Sequence, residues 1–237
     1  MKLEKLRNLF GQLGIDGMLI TSNTNVRYMT GFTGSAGLAV ISGDKAAFIT
    51  DFRYTEQAKV QVKGFEIIEH GGSLIQTTAD TVESFGIKRL GFEQNSMTYG
   101  TYASYSAVIS DAELVPVAES VEKLRLIKSS EEIKILEEAA KIADDAFRHI
   151  LTFMKPGISE IAVANELEFY MRSQGADSSS FDMIVASGLR SSLPHGVASD
   201  KLIESGDLVT LDFGAYYKGY CSDITRTVAV GQPSDQL

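Results

Sequence analysis

The sequence predicts two domains: an α/β domain with a mixed sheet, then a second region of two helices and a β-hairpin. Three observations lead there. The chain has 237 residues, more than the roughly 100–200 that one domain usually takes. Up to about residue 117, helical and strand patterns alternate around a single hairpin, as in a layered α/β domain. Beyond it come two long amphipathic patterns and a β-rich run folded about a turn.

Composition narrows the function classes. Hydrophobic residues make up 44% and charged residues 22%, enough apolar material for a core in each domain. The formal net charge is −9, with no run of like charge, so the chain lacks the basic face that nucleic-acid binding needs. No segment approaches the ~18 apolar residues of a membrane span. The N-terminus, MKLEKLRNLFGQLGIDGMLI, is interrupted by charges and glycines and does not read as a signal peptide. The single cysteine, Cys221, permits no internal disulfide and suits a reducing compartment, so a cytoplasmic protein is expected. Cys221 itself reads as a small packed side chain.

Leu3, Leu6, Leu9, Phe10 and Leu13 recur at helical spacing, predicting a helix over 2–13 that stops near Gly14. A strand follows at 17–21. Ser22 to Gly37, dense in Gly, Ser, Thr and Asn, reads as loop and turn. Strands at 38–41 and 46–50 flank Ser42-Gly43-Asp44-Lys45, a hairpin signal. Helical patterns near 53–62, 73–84 and 98–108 then alternate with strands at 65–69, 89–93 and 113–117. Arg53 reads as a surface salt-bridge partner and His70 as a loop residue. We place the first domain at 1–120, a linker at 121–130 and the second region at 131–237.

Ser129-Ser130-Glu131-Glu132 contains a Ser-x-x-Glu capping box, predicting a helix from about 130 to Lys155. His149 lies one position off its apolar stripe and reads as a boundary residue. Ser159 caps a second helix reaching Gln174, with Gly175 as its left-handed stop. Met183 to Ala186 reads as a strand, followed by a Gly/Ser/Pro-bearing loop with His195 in a Pro-His-Gly context. A histidine there is exposed or functional more often than buried.

The chemistry concentrates in LVTLDFGAYYKGYCSDITRTVAV, Leu208 to Val230, which reads as a hairpin. With Tyr217 and Lys218 at the tip, Asp212 and Asp223 stand directly opposite, their Cβ atoms about 5 Å apart. Like charges so placed repel, so a cation between them or a shared proton is required. Two alternatives stand at this point. A bulge at Gly219 would slip the register and send the aspartates to opposite faces, and Asp223 could pair with Arg226.

This string resembles the first metal-ligand segment of the pita-bread metallopeptidases: aminopeptidase P (Xaa-Pro aminopeptidase), prolidase and, more distantly, methionine aminopeptidase. KPGISE (155–160) resembles the opening of the same domain. NVRYMTGFTGSAG and TDFRYTEQA resemble the creatinase/prolidase N-terminal domain. The fold implied is a creatinase/prolidase-type α/β domain followed by the first half of an α+β pita-bread catalytic domain.

The resemblance implies a metal-dependent exopeptidase that hydrolyses Xaa-Pro bonds at the N-terminus of peptides or dipeptides. A hydroxide bridging two divalent metals would be the nucleophile. Asp212 would chelate one metal and Asp223 would bridge both, with manganese first and cobalt or zinc as alternatives. His195 matches the active-site histidine that hydrogen-bonds substrate. Implied partners are a proline-containing peptide and a second copy of the chain, in a homodimer or higher homo-oligomer, with no nucleic acid and no membrane. A further histidine and two glutamates of the family's metal site have no counterpart within 1–237, so the chain is expected to be an inactive piece of a longer enzyme. The rival readings are a non-catalytic pita-bread binding protein and a creatinase-like C–N hydrolase needing no metal.

Overall fold

In the computed structural model, which describes residues 2–234, contacts divide the chain into two units between Ile127 and Lys128. The tail read as loop-like from Pro233 to Leu237 lies outside the described residues from Asp235 onward.

The first unit runs α1 (Lys2–Arg7), α2 (Phe10–Leu13), β1 (Gly17–Ile20), α3 (Asn23–Thr30), β2 (Leu38–Ser42), β3 (Ala46–Thr50), α4 (Thr55–Gln61), β4 (Glu66–Glu69), α5 (Leu74–Ser84), β5 (Arg89–Glu93), α6 (Tyr99–Val108), β6 (Glu113–Val117) and α7 (Ser120–Leu126). Its sheet has the order β4-β3-β2-β1-β5-β6, antiparallel around β2 and parallel elsewhere. Successive residues of a strand point to opposite faces. Met18 and Ile20 therefore pack with Leu6, Phe10 and Val121 on one side, while Leu19 packs with Val82, Leu90 and Tyr105 on the other.

Three expectations are corrected here. The predicted helix over 2–13 breaks into α1 and α2, where Leu9 N–H turns to Leu6 O instead of continuing the ladder. The stretch read as loop from Ser22 contains α3. The residues leading into it are held from far along the chain, Glu93 Oε2 accepting from Thr21 N at 2.7 Å and Ser22 N at 2.8 Å. Most of the expected linker, 121–130, is α7, held to the first unit by buried Val121 and by Tyr28 Oη donating to Leu124 O at 3.1 Å. Arg53 makes a two-pronged ion pair with Asp51 (2.9 and 2.8 Å), and that hydrogen bonding holds the Asp51 carboxyl at about 2.

The second unit runs α8 (Ser130–Phe153), α9 (Glu160–Ser173), β7 (Ser178–Ser179), β8 (Ile184–Ser187), a 3-10 turn (Gly188–Ser192), β9 (Leu208–Phe213), β10 (Ala215–Tyr217), β11 (Tyr220–Cys221) and β12 (Ile224–Ala229). The capping box forms as read: Ser129 Oγ accepts from Glu132 N, and Glu132 Oε2 accepts from Ser129 N at 2.8 Å. Two antiparallel sheets, β11-β10-β7 and β12-β9-β8, lie against the helix pair. Val209, Leu211 and Phe213 face Ala146, Ile150, Val163 and Leu167. The even-numbered residues of β9 are thereby turned away from the core, and Asp212 is one of them. His149 is a boundary residue: Nε2 lies 2.6 Å from Glu166 Oε1 and the ring stacks on Tyr170.

Candidate metal centre

Asp212 lies on β9 and Asp223 in the two-residue break between β11 and its continuation β12, which pairs with β9 in a different register from the one the sequence suggests. Asp212 pairs with Thr225, and farther along Tyr216 pairs with Cys221 and Tyr217 with Tyr220. The turn is the cause. Lys218 (φ 48°) and Gly219 (φ 88°) both take positive φ, as the two centre residues of a type I′ turn must. The tip is Lys218-Gly219, not Tyr217-Lys218. Every pairing moves with it, and Asp223 ends two residues from Asp212's partner, so the two are diagonal neighbours and not directly opposite.

A shift of two residues keeps the face. Ser222 and Phe213 are buried and Ile224 packs against the core, whereas Asp223 and Thr225 are exposed and Asp212 is half-buried. Both carboxylates thus stand on the outward face. Thr225 Oγ1 donates to Asp212 Oδ1 at 2.8 Å. Asp223 does not pair with Arg226, whose Nη1 donates to Thr225 O and whose guanidinium lies 5.9 Å from the Phe147 ring. Cys221 is exposed, which corrects the expectation of a packed thiol.

Gly214 fixes the crossing between the strands. It follows Phe213 where the chains approach so closely that a Cβ would overlap the Ser222 carbonyl. Ser222 Oγ there accepts from Ala215 N at 2.9 Å, replacing a ladder carbonyl.

His195 belongs to the same sheet by way of its loop. Val197 bridges Ile184, and Ile184 pairs with Asp212, so Val197, Ile184, Asp212 and Thr225 form one row across the strands. Neighbouring strands lie about 4.8 Å apart, which puts the loop backbone at Val197 about 10 Å from that of Asp212. The His195 ring is exposed.

Sequence reasoning missed Glu160, the buried first residue of α9, whose carboxylate gathers both ends of the His195 loop. A glutamate opening a helix is ordinary, and nothing local marks it as turned inward. Burial pushes its carboxyl up, but the hydrogen bonds from Ser199 and Ser187 more than offset this and hold it below its ordinary value.

The donor chemistry fits a hard divalent cation. Two carboxylates and a hydroxyl on one face are oxygen ligands of the kind that Mn, Co, Zn or Mg accepts. Among the described residues, no group of three or more His, Cys, Asp or Glu is placed to hold a metal. Alone, the pair would furnish at most part of a coordination sphere.

A mixed α/β sheet domain, followed by a helix pair backing a hairpin with paired outward aspartates, is the arrangement of a two-domain metallopeptidase. Residues 2–127 match the creatinase/prolidase N-terminal domain and residues 134–237 match metallopeptidase family M24. The chain belongs to the family that joins these two domains. It is 38% identical over 240 residues to the Xaa-Pro dipeptidase of Pyrococcus horikoshii, covering 99% of this chain and 66% of that protein. Among solved structures it is similar to the Xaa-Pro dipeptidase from Bacillus anthracis (62% identity, TM-score 0.96, 99% of this chain and 66% of that one). It is also similar to the X-Pro aminopeptidase from Thermotoga maritima (38% identity, TM-score 0.90, 97% of this chain and 66% of that one). The chain spans about two thirds of the length of these relatives. No helix among the described residues is long and apolar enough to cross a membrane.

Proposed function

We propose that this chain carries the aspartate pair and the substrate-facing histidine of an Xaa-Pro peptidase. The observation that carries the reading is the shared outward face of Asp212 and Asp223, with the His195 loop on the same row of the sheet. The relatives named Xaa-Pro dipeptidase and aminopeptidase support the substrate class.

Asp212 and Asp223 would hold divalent ions, manganese first, with cobalt or zinc as alternatives. Such ions supply Lewis acidity toward a peptide carbonyl and lower the pKa of water toward neutrality. The Thr225 hydroxyl helps orient Asp212 by donating to its Oδ1. His195, exposed on a loop held at both ends, is free to hydrogen-bond the substrate.

The full-length gene product should release the N-terminal residue from Xaa-Pro dipeptides or longer Xaa-Pro peptides in the presence of manganese or cobalt. Asp223→Ala should abolish the reaction while circular dichroism stays native. Substantial turnover in that variant, or after chelation, would contradict the reading.

A further inference from the structure

Glu160 has none of its surface exposed, yet the chemistry above does not use it. It accepts five hydrogen bonds, all from the segment around His195. Oε1 receives Ser187 N at 2.7 Å and Ser187 Oγ at 2.8 Å. Oε2 receives Ser199 N at 3.0 Å, Ser199 Oγ at 2.6 Å and Arg190 Nε at 3.1 Å. Ser187 ends β8, where the loop leaves the sheet, and Ser199 stands where it comes back.

A brace crosses the loop as well, since Arg190 Nη2 donates to Val197 O at 2.7 Å. Lys201 Nζ then ties Ser187 Oγ (2.9 Å) to Asp207 Oδ2 (2.7 Å) beneath the same turn. A glutamate at the start of a helix gains from the helix dipole while remaining in water. Burying it is costly unless it is paired and hydrogen-bonded, and here every donor comes from one loop and the strand end that feeds it.

We propose that Glu160 is a positioning residue: its carboxylate fixes both ends of the 188–198 loop and thereby presents His195 beside the face that carries Asp212. The part played by His195 rests on the function proposed above. The tie itself does not.

The test is hydrogen exchange on the whole chain, wild type against Glu160→Gln, with Ser199→Ala as the milder variant should Glu160→Gln fail to fold. Either substitution should speed exchange in 188–198 by about tenfold, as expected for a local opening, with α8, β9 and β12 unchanged. In the full-length gene product the same variants should lower kcat while KM stays near wild type. Unchanged protection in 188–198, or exchange that rises equally throughout 128–234, would overturn the proposal. His195→Ala separates the two readings, because it should remove turnover without altering exchange in the loop. Turnover that survives His195→Ala would sink the function assigned to His195, whereas the exchange data would still decide the tie.

Discussion

Asp212 faces Thr225 across the ladder, and the threonine hydroxyl donates to its carboxylate at 2.8 Å. Asp223 sits two residues away on the same face. Compared with a directly opposed pair, this diagonal placement lowers the repulsion between the carboxylates and places a neutral donor beside Asp212.

The relationship depends on the turn at Lys218-Gly219. Gly219→Ala should destabilise the chain by about 1 kcal/mol, because an L side chain strains at positive φ. Lys218→Asn should be neutral or slightly stabilising, since Asn tolerates that region. Thermal unfolding of both variants checks this, and equal losses would refute a type I′ tip.

Gly214→Ala tests the crossing. An added Cβ would meet the Ser222 carbonyl, which is backbone and cannot swing aside. We expect a loss of about 3 kcal/mol, at the upper end of typical overpacking costs, measured by urea denaturation. Loss of the close approach should also separate Asp212 from Asp223.

The Glu160 cluster predicts an acid limit for order in the His195 loop. A carboxyl held below its ordinary value of 4.5 contributes stability that is complete above that value and lost as pH falls through the folded-state value. Asp207 is lowered as well: burial raises it, but the hydrogen bonds from Lys201 and from the Glu204 N–H, with the Lys201 charge, together outweigh that effect, so both groups act in the same direction. Protection factors in 188–198 should hold from pH 7 to about 5 and collapse below pH 4.5, ahead of α8. Protection that falls on raising the pH from 5 to 7 would contradict this sign.

Much of this was legible in the sequence, and the exceptions share a cause. The strands at 89–93 and 113–117 and the capping box at Ser129 and Glu132 are local patterns, and they form as read. Helix α3 is not legible because Glu93, whose carboxylate holds the Thr21 and Ser22 N–H groups leading into it, lies far along the chain. Helix α7 does not stand out from a linker locally, because Val121 gains its meaning only from the core it enters. The aspartate pair and its common face follow from period-two alternation. Its register does not, because alternation is unaltered by a two-residue shift and the choice between two tips was conformational. Glu160 stayed hidden because its donors lie in residues 187–199.

If Asp212 and Asp223 together attract a divalent ion, paramagnetic broadening by Mn shows it directly. Titrating Mn into the 15N-labelled chain should broaden amides at 212–214 and 223–225 first. Affinity should be weaker than about 1 µM, because two carboxylates leave most coordination positions to water. Asp212→Asn or Asp223→Asn should erase the selectivity. Broadening that begins elsewhere, or that survives both substitutions, would contradict the account.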